Sequence, residues 1–569
     1  MGPAQRAFSA AALEKVFFAL LLIVSTWLMF HSFAVTDHVM LIGSKVWSDF
    51  AATLPLIRSF SMGDNWPPEY PLYPGEPIRY HFLFFALVGA LEKLGLPLDW
   101  ALNLPSILGF FVTLLMLYLI STAVLRDRRV GVLAVLFALC NGSLSFVEYF
   151  STHGWTPRSV AALWDLAHFP SFGPFDGSEI LGVWNLNVYI NQRHFGVALA
   201  LLLGFVWFSL RDYDRPVERQ LQWGVLFGCL AGLLPLFHKP VLLVLAVCLA
   251  VYFFLVPRLR TFFLTMGASS LAVMLLLSLS PLDIGPGATP AGVRWAPGFL
   301  VQGGLTAENF LRFWWLNWGL HVVWIPVALW LMRDKFLAPR SARVLAIPAL
   351  LVFAIGCTLQ FSAEITANHK FFNAAFLLLA PLSAYTLVRI FDIGAGLRRS
   401  GRLAVWTAGG LLLLATVAGG IVDLMPIKND AAYQVPDLPV HPEARWFAEN
   451  TAADAVVLNS HFLYHPASIA GRHVFLGWPY FTWSAGYDVE ARRAVMAEMY
   501  SGRDANRMCA LLAEHRIGAV TVEDTNSPDM VPINVGFFDA RYTPDLVSAG
   551  GRLRIYHVST LCPPGGGAP

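Results

Sequence analysis

The chain has 569 residues, of which 56% are hydrophobic and 13% are charged, and its formal net charge is +2. Soluble proteins carry roughly a quarter charged residues, so this composition excludes an ordinary soluble protein. The near-neutral charge gives no reason to expect nucleic acid as a partner. The 43 Phe and 19 Trp residues are typical of a chain that contacts lipid and its interfaces. We therefore expect a lipid bilayer around most of this protein.

Apolar stretches long enough to cross a membrane recur along the first three quarters of the chain. A spanning helix needs about 20 mainly apolar residues, and by this measure about eleven stretches qualify. They are residues 16–35, 102–125, 130–150, 194–210, 222–237, 240–256, 261–280, 313–332, 343–360, 371–391 and 403–424. The predicted fold class is a mainly α, polytopic membrane protein.

Two interpretations of the first apolar run remain open. Ser32-Phe33-Ala34 loosely resembles a signal-peptide cleavage site. The run is long for a signal peptide, which favours an uncleaved membrane anchor.

The loop that follows this run, residues 36–101, is expected to contain two helices that lie along the membrane surface. Residues 47–60 place their aromatic and aliphatic side chains on one helical face. Residues 81–95 are apolar, but they are short and interrupted by glycine. Both patterns favour interfacial helices over further spans.

The basic residues of the short loops predict the orientation, because cytoplasmic loops are enriched in Lys and Arg. Every second loop is basic, which predicts a multi-pass protein of the plasma (inner) membrane with a cytoplasmic N-terminus and an extracytoplasmic C-terminal part. The residues concerned are Arg6, Lys15, Arg126, Arg128, Arg129, Arg211, Arg215, Arg219, Arg258, Arg260, Arg333, Lys335, Arg340, Arg343, Arg398, Arg399 and Arg402.

From residue 425 the composition becomes that of a soluble domain. Strand-like "DAVVLNS" and "IGAVTVED" alternate with helix-like "EARRAVMAEMYSG" and "DANRMCALLAEHR". We therefore predict a transmembrane domain over 1–424 and a small α/β domain over 425–569. Cys509 and Cys562 could form a disulfide there if this part lies outside the cell.

Ionisable residues cluster at the predicted outer ends of the spans and in the outer loops. Such residues are costly at membrane depth, so they indicate a functional site. The candidates are Asp37, Asp49, Glu69, Arg79 and His81 in the first outer loop, Arg193 and His194 in the second, and the pairs His238–Lys239 and His369–Lys370 at two later span ends. All of them fall on one predicted side of the membrane.

A carboxylate near several cations suits one simple reaction. A carboxylate base removes a proton from an acceptor hydroxyl, which attacks a sugar carbon while a phosphate leaves towards the cations. Interpretations in which these residues have no catalytic or binding role also stay open. Asp49 could belong to a solvated helix face, Glu69 could merely solvate its loop, and Lys239 and Lys370 could reach the lipid interface with their long side chains.

A family resemblance is carried by three stretches, "YPLYPGEPIRYHFLFFALVGALEKLG", "LNLPSILGFFVTLLMLYLISTAVL" and "GRHVFLGWPYFTWSAGYDVEARR". The first two are similar to the second interfacial helix and second span of the GT-C glycosyltransferases, which include protein mannosyltransferases and lipid A aminoarabinose transferases. The third is similar to the outer domain of some bacterial members. The resemblance implies transfer of a sugar from a polyprenyl-phosphate donor to a glycan, lipid or protein acceptor of the cell envelope.

The resemblance also implies that the acid of the first outer loop is the catalytic base. Asp49 matches this position best, and Asp37 is the rival. Asp49 has no acidic neighbour two positions away, unlike the paired-acid members, so no cofactor is certain and a divalent metal stays possible. A membrane transporter, a lipid-linked-sugar flippase or a non-catalytic envelope assembly subunit are the alternative functions.

Overall fold

A computed structural model describes residues 3–140, 142–182, 185–211, 214–282, 292–335, 341–523 and 529–563, and it is mainly helical. In the first three quarters of the chain the helices are α1 (Pro3–Ser32), α2 (Trp47–Ser61), α3 (Leu83–Lys93), α4 (Leu98–Leu125), α5 (Arg128–Leu139), α6 (Ser145–His153), α7 (Pro157–Ala162), α8 (Leu186–Asn191), α9 (Arg193–Arg211), α10 (Val217–Gly232), α11 (Leu234–Leu255), α12 (Arg260–Ser278), α13 (Ala307–Trp318), α14 (His321–Leu331), α15 (Arg343–Thr358), α16 (His369–Ala395) and α17 (Arg399–Lys428). The remaining helices are α18 (Pro442–Asn450), α19 (Pro466–Ile469), α20 (Pro479–Ser484), α21 (Val489–Ser501), α22 (Ala505–Glu514), α23 (Val535–Arg541) and α24 (Val558–Leu561).

Short strands connect these helices. They are β1 (Phe33–Thr36), β2 (Val39–Gly43), β3 (Glu69–Tyr70), β4 (Tyr73–Pro77), β5 (Arg294–Trp295), β6 (Leu359–Gln360), β7 (Ala432–Pro436), β8 (Val456–Leu458), β9 (His473–Val474), β10 (Ile517–Glu523), β11 (Leu546–Val547) and β12 (Leu553–His557).

The protein is a multi-pass membrane protein. Among the described residues, 7 helices are long and apolar enough to cross a membrane. They are Ala12–Ser32, Leu98–Leu125, Arg193–Arg211, Leu234–Leu255, Pro257–Ser278, Ile365–Ala395 and Arg399–Lys428.

The predicted count of eleven spans is not confirmed, because several predicted spans are shorter or divided. The stretch 130–150 is divided between α5 and α6. The stretch 313–332 is divided between α13 and α14 at Gly319, which has a φ of +48°. An added Cβ there would lie 2.1 Å from the Gly142 carbonyl oxygen, so only glycine allows the chain to turn at this contact. Arg340, which contributed to the predicted orientation, lies outside the described residues.

Helices α2 and α3 form at the two places where interfacial helices are predicted. They lie against each other at Gly89, where an added Cβ would come within 2.9 Å of the Ile57 carbonyl oxygen. At the far end of α2, the buried Arg58 guanidinium contacts Glu92 of α3 at 3.1 Å and Asp437 of the C-terminal part at 2.9 Å. This ion-paired triad fixes α2 between α3 and the C-terminal part.

The start and the end of the transmembrane region meet in one small sheet. Strands β1 and β2 form an antiparallel hairpin, and β7, which follows the last long helix, pairs antiparallel with β2. Asp37 and His38 form the hairpin turn with φ values of +51° and +61°. This sheet leads directly into α2, so it positions that helix.

The C-terminal part contains a five-stranded sheet in the order β11-β12-β10-β8-β9, surrounded by α18 to α24. Cys509 and Cys562 form a disulfide with a Cα–Cα distance of 5.7 Å. Val474 and Gly477 donate backbone hydrogen bonds to Pro71 and Leu72 of the first outer loop. The division of the chain at residue 425 stays a prediction, since these contacts tie both parts together.

Candidate active site

A cavity of about 830 Å³ lies where the first outer loop, the starts of α9 and α16, and the C-terminal part meet. Seven of the predicted site residues line it, although they come from four separate stretches of the chain. These seven are Asp49, Arg79, His81, His194, Lys239, His369 and Lys370.

Asp49 lies in the first turn of α2, on the cavity wall. The turn is held from the C-terminal part by Tyr464, whose ring contacts Trp47 in a tilted arrangement with centroids 4.1 Å apart and whose hydroxyl donates to the Trp47 carbonyl at 2.5 Å. Burial raises the pKa of Asp49 to about 6, although the Lys370 ammonium acts to lower it. A carboxylate of this kind is ionised at neutral pH and is a stronger base than an ordinary aspartate.

The Asp49 carboxylate faces tyrosines from both sides of the cavity. Burial raises the pKa values of Tyr80 and Tyr480, and the negative charge of Asp49 raises both further. The Tyr480 hydroxyl also donates a hydrogen bond to the Glu364 carboxylate. Asp49 therefore lies close to Tyr80, further along the same loop, and to Tyr480 of α20.

Three of the four Lys and Arg residues that line the same cavity come from different elements, and the fourth, Lys45, pairs with Asp430 at 3.6 Å. Lys239 approaches the Arg79 carbonyl oxygen with its Nζ at 3.4 Å, and Lys370 lies near enough to Asp49 to affect its charge state. Arg79 is oriented by the C-terminal part: its backbone N–H donates to the Tyr487 hydroxyl at 2.9 Å, and its guanidinium donates to the Gly486 carbonyl. Such a group of cations is suited to an anionic ligand, with the Arg79 guanidinium already paired with the Glu76 carboxylate at 2.7 Å.

Histidines pack beside these cations. The Nε2 atoms of His81 and His194 lie 2.6 Å apart, and the ring of His238 lies 5.2 Å from that of His81. Burial lowers the pKa of His81 well below its usual value, and the neighbouring histidines and lysines lower it further. His81 is therefore neutral at neutral pH, where it acts as a hydrogen-bonding group and adds no charge.

Four predicted site residues do not line the cavity, and their place in the fold is as follows. Asp37 is exposed in the β1–β2 turn. Glu69 accepts the Gly75 N–H at 2.8 Å and so closes the β3–β4 hairpin. His238 is fully buried behind the lining, where its Nδ1 accepts the Val241 N–H at 3.4 Å.

Arg193 is the fourth of these residues. Its guanidinium is buried and donates to the Met29 carbonyl at 3.2 Å, the Ser32 hydroxyl at 2.8 Å and the Asn103 amide oxygen at 3.2 Å. These bonds join α9 to α1 and α4. Neighbours from other helices thus satisfy the group inside the protein.

The cavity also contains residues that the sequence analysis did not select. Uncharged amides line it at the junction of α8 and α9, and Trp478, Tyr480 and Phe481 line it from α20 and the residue before it. The run "NVYINQ" is a local signal for the amides, since three amide side chains interrupt apolar sequence. The α20 residues carry no such signal, because their proximity depends on folding across most of the chain.

The described part of the chain has no group of three or more His, Cys, Asp or Glu side chains arranged to hold a metal ion. The divalent metal that the sequence leaves possible has no such ligand group among these residues, and no step below depends on one.

The chain is similar to known proteins in structure, whereas the sequence comparisons found no match. No protein-family model matches the chain, and no curated protein matches it in sequence. ArnT from Cupriavidus metallidurans, solved bound to undecaprenyl phosphate, is similar in structure with a TM-score of 0.50 at 13% identity over 97% of this chain and 99% of that one.

Two larger proteins give weaker structural matches. The Archaeoglobus fulgidus oligosaccharyltransferase matches with a TM-score of 0.46 at 14% identity, over 90% of this chain and 70% of that one. Arabinofuranosyltransferase AftD from Mycobacteria matches with a TM-score of 0.46 at 14% identity, over 96% of this chain and 40% of that one. All three structures are GT-C superfamily glycosyltransferases. The match to ArnT covers nearly the whole of both chains, so this protein has the GT-C glycosyltransferase fold.

Proposed function

We propose that this protein is a membrane glycosyltransferase that moves a sugar from a polyprenyl phosphate to an acceptor on the outer side of the plasma (inner) membrane. The observation that carries the proposal is the cavity itself. It sets the Asp49 carboxylate among cations from three elements, Arg79, Lys239 and Lys370. This is the set of groups that the reaction needs.

The chemistry follows from these groups. Asp49 takes the proton from the acceptor hydroxyl as that oxygen attacks the anomeric carbon of the donor sugar. The bond from this carbon to the lipid phosphate oxygen breaks, and its electron pair leaves with the phosphate. Arg79, Lys239 and Lys370 stabilise the charge that develops there. A phosphate leaves without protonation, so a second carboxylic acid is not required.

The lipid-linked donor is supported by the fold and by the cavity wall. ArnT, which shares the fold, binds undecaprenyl phosphate. In this protein Phe172, Phe175, Leu243 and Phe361 add an apolar side to the charged cavity. An apolar surface beside a cationic site suits a phosphate that carries a hydrocarbon chain.

Two independent features support the outer location of the C-terminal part. One is the alternation of basic loops. The other is the Cys509–Cys562 disulfide, because disulfides persist in oxidising compartments and are rare in the cytosol. The acceptor would then be a glycan, lipid or protein of the envelope.

Mass spectrometry of envelope glycans from cells that lack this protein tests the proposal. We expect one sugar substituent to be absent, its polyprenyl-phosphate donor to accumulate, and the wild-type protein but not Asp49→Asn to restore the substituent. Unchanged glycans would overturn the proposal. Full restoration by both Asp49→Asn and Asp37→Asn would instead favour a transporter, a flippase or a non-catalytic subunit.

A further inference from the structure

The C-terminal part contributes a short uncharged surface to the cavity. Its described lining residues all come from α20 or from the residues next to it: Trp478, Tyr480, Phe481, Ser484 and Ala485. Three of them are aromatic, one carries an aliphatic hydroxyl, and none carries a charge. The three cations described above come instead from the first outer loop and from two membrane helices. The cavity therefore presents two chemically different walls.

Aromatic rings continue from this uncharged wall to the protein surface. The Tyr480 ring centroid lies 5.6 Å from that of Trp478, which lines the cavity, and 6.3 Å from that of Trp483, which does not. Tyr480 is 38% exposed and Trp483 is 45% exposed. Large aromatic side chains are usually packed inside a domain, so exposed rings beside a cavity indicate a binding surface.

A second carboxylate meets these rings from the loop before α16. Glu364 lines the cavity and accepts a hydrogen bond at its Oε2 from the Tyr480 hydroxyl. Its Oε1 accepts no hydrogen bond from the described residues and is not fully buried. An ionised carboxylate accepts up to about four hydrogen bonds, so most of this capacity is open to a ligand.

Glu364 is also close to the proposed base. Burial is the main cause of the raised pKa of Asp49, and the negative charge of Glu364 raises it further. An acceptor that reacts through one hydroxyl at Asp49 can satisfy Glu364 only if it carries a second hydrogen-bond donor nearby. A serine or threonine side chain has a single hydroxyl, whereas a sugar has hydroxyls on adjacent carbon atoms.

Other occupants fit this surface less well. A hydrocarbon chain would leave the Glu364 carboxylate unsatisfied, and a phosphate would be repelled by it. An extended peptide pairs with unbonded backbone groups, yet the N–H groups of Phe481, Ala485 and Gly486 are bonded within α20 or at its end. A sugar ring presents C–H groups that pack on aromatic faces and hydroxyls that donate to a carboxylate.

We propose that Glu364 and Tyr480 form the acceptor-binding site and that the acceptor is a glycan. One sugar of this glycan packs on the Tyr480 ring, donates a hydroxyl hydrogen bond to Glu364 and places a neighbouring hydroxyl at Asp49. Trp483 extends the surface to the next sugar unit. This inference rests on the proposed function, because it takes Asp49 to be the base, and it names the acceptor class that the proposed function leaves open.

The test measures ligand binding to the full-length protein in detergent, with and without bare polyprenyl phosphate. The probes are oligosaccharides of glucose, galactose, mannose, rhamnose and arabinose, a threonine-containing peptide, and polyprenyl phosphate carrying mannose or arabinose. The variants are Glu364→Gln, which removes the charge, and Tyr480→Leu, which removes the ring. Glu490→Gln, at an exposed position of α21, and Trp155→Leu, in the second outer loop, are the matched controls.

We expect at least one oligosaccharide to bind the wild-type protein. Glu364→Gln should weaken that binding by roughly tenfold or more, the usual effect of a hydrogen bond to a charged group, and Tyr480→Leu by roughly threefold to tenfold. Both controls should bind as the wild type does. Bare polyprenyl phosphate should bind the cavity variants no more weakly than the wild type, because its phosphate lies on the cations. Undiminished oligosaccharide binding by either cavity variant would overturn the assignment.

Two other outcomes would overturn it in favour of a different ligand. If the variants weaken binding of the glycosylated lipids relative to the bare lipid and leave oligosaccharide binding unchanged, the surface holds the donor sugar. If the peptide binds more tightly than every oligosaccharide and the variants weaken its binding, the acceptor is a protein.

Failure of the proposed function gives a different result. A wild-type protein that binds neither bare nor glycosylated polyprenyl phosphate contradicts the proposed function, and this inference falls with it. Binding of polyprenyl phosphate without binding of any oligosaccharide leaves the proposed function standing and removes only the glycan assignment.

Discussion

The two ends of helix α2 place charged residues in opposite circumstances. Near its end, the Arg58 guanidinium is 2% exposed and contacts two carboxylates, those of Glu92 and Asp437. Near its start, Asp49 lines a large cavity, and burial raises its pKa to about 6. One helix of 15 residues thus carries both a satisfied charge and a perturbed one.

The two ends of α2 differ in how far the charge is compensated by its neighbours. A charge surrounded by its counter-charges holds elements together, and a ligand has no access to it. A charge that faces a cavity and is incompletely compensated there is available to a ligand, and its altered proton affinity suits catalysis. The predictions below separate stability at one end of α2 from activity at the other.

The largest effect is expected at the satisfied end. Arg58→Met would leave Glu92 and Asp437 buried without a counter-charge, which costs about 3–5 kcal/mol of folding free energy. Thermal unfolding of the purified protein in detergent measures this loss. Arg445→Met, at an arginine that is 57% exposed, should leave the midpoint nearly unchanged. Equal midpoints for both variants would contradict the structural role of the triad.

Asp49→Asn should act in the opposite way. Loss of the base lowers turnover by about a hundredfold or more, the usual range for general base catalysis. Stability should not fall at neutral pH, because burial makes the ionised form of Asp49 costly in the folded state. Asp37→Asn, in the exposed hairpin turn, is the control and should keep its activity. The reverse pattern of activities would move the base to Asp37.

The cations across the cavity should affect donor binding. Charge-assisted hydrogen bonds contribute about 1.5–3 kcal/mol each, so Lys370→Met and Lys239→Met should each weaken polyprenyl-phosphate binding roughly tenfold or more. Titration of the purified variants with the lipid measures this. Lys428→Met, whose lysine lies over Trp164, is the matched control and should bind normally. Undiminished binding by either cavity variant would remove that lysine from the phosphate site.

The pH dependence of activity should report Asp49 directly. Since its pKa is raised to about 6, the basic form is lost as the pH falls through that value. We therefore expect kcat/KM to be level above pH 7 and to drop by about tenfold for each unit below pH 6. The residual activity of Asp49→Asn should lack this drop, and a profile with its midpoint near pH 4 would contradict the buried environment.

Hydropathy and charge predicted much of the fold and part of the site. Long apolar runs such as 102–125 and 403–424 fall in helices long and apolar enough to cross a membrane, because length and composition are local properties. Lys239 and Lys370 stood out because a charge at a span end is rare in such a chain. The division of 130–150 was missed, although the sequence between α5 and α6 contains the dipeptide Asn-Gly, which is a local turn signal.

The surroundings of several residues at or near the cavity depend on partners from distant parts of the chain. Arg193 has the appearance of a ligand-binding arginine until Ser32 and Asn103, on two other helices, are seen to satisfy it. Asn187 carries no charge, so it attracted no attention. Tyr480 reaches the cavity only because the C-terminal part folds back over the first loop. Local patterns do not encode such neighbours.

The three-stranded sheet β1-β2-β7 has a consequence for how the protein is made. Its middle strand emerges early in synthesis, yet its partner, residues 432–436, follows the last long helix. Several hundred residues must therefore be synthesised and inserted before this sheet can close beside α2. A ribosome-bound chain that ends after α17 would carry all 7 of the long apolar helices found among the described residues and still lack the closed sheet that positions α2. Assembly of the site is then among the last events of biogenesis, and premature termination yields an inert membrane protein.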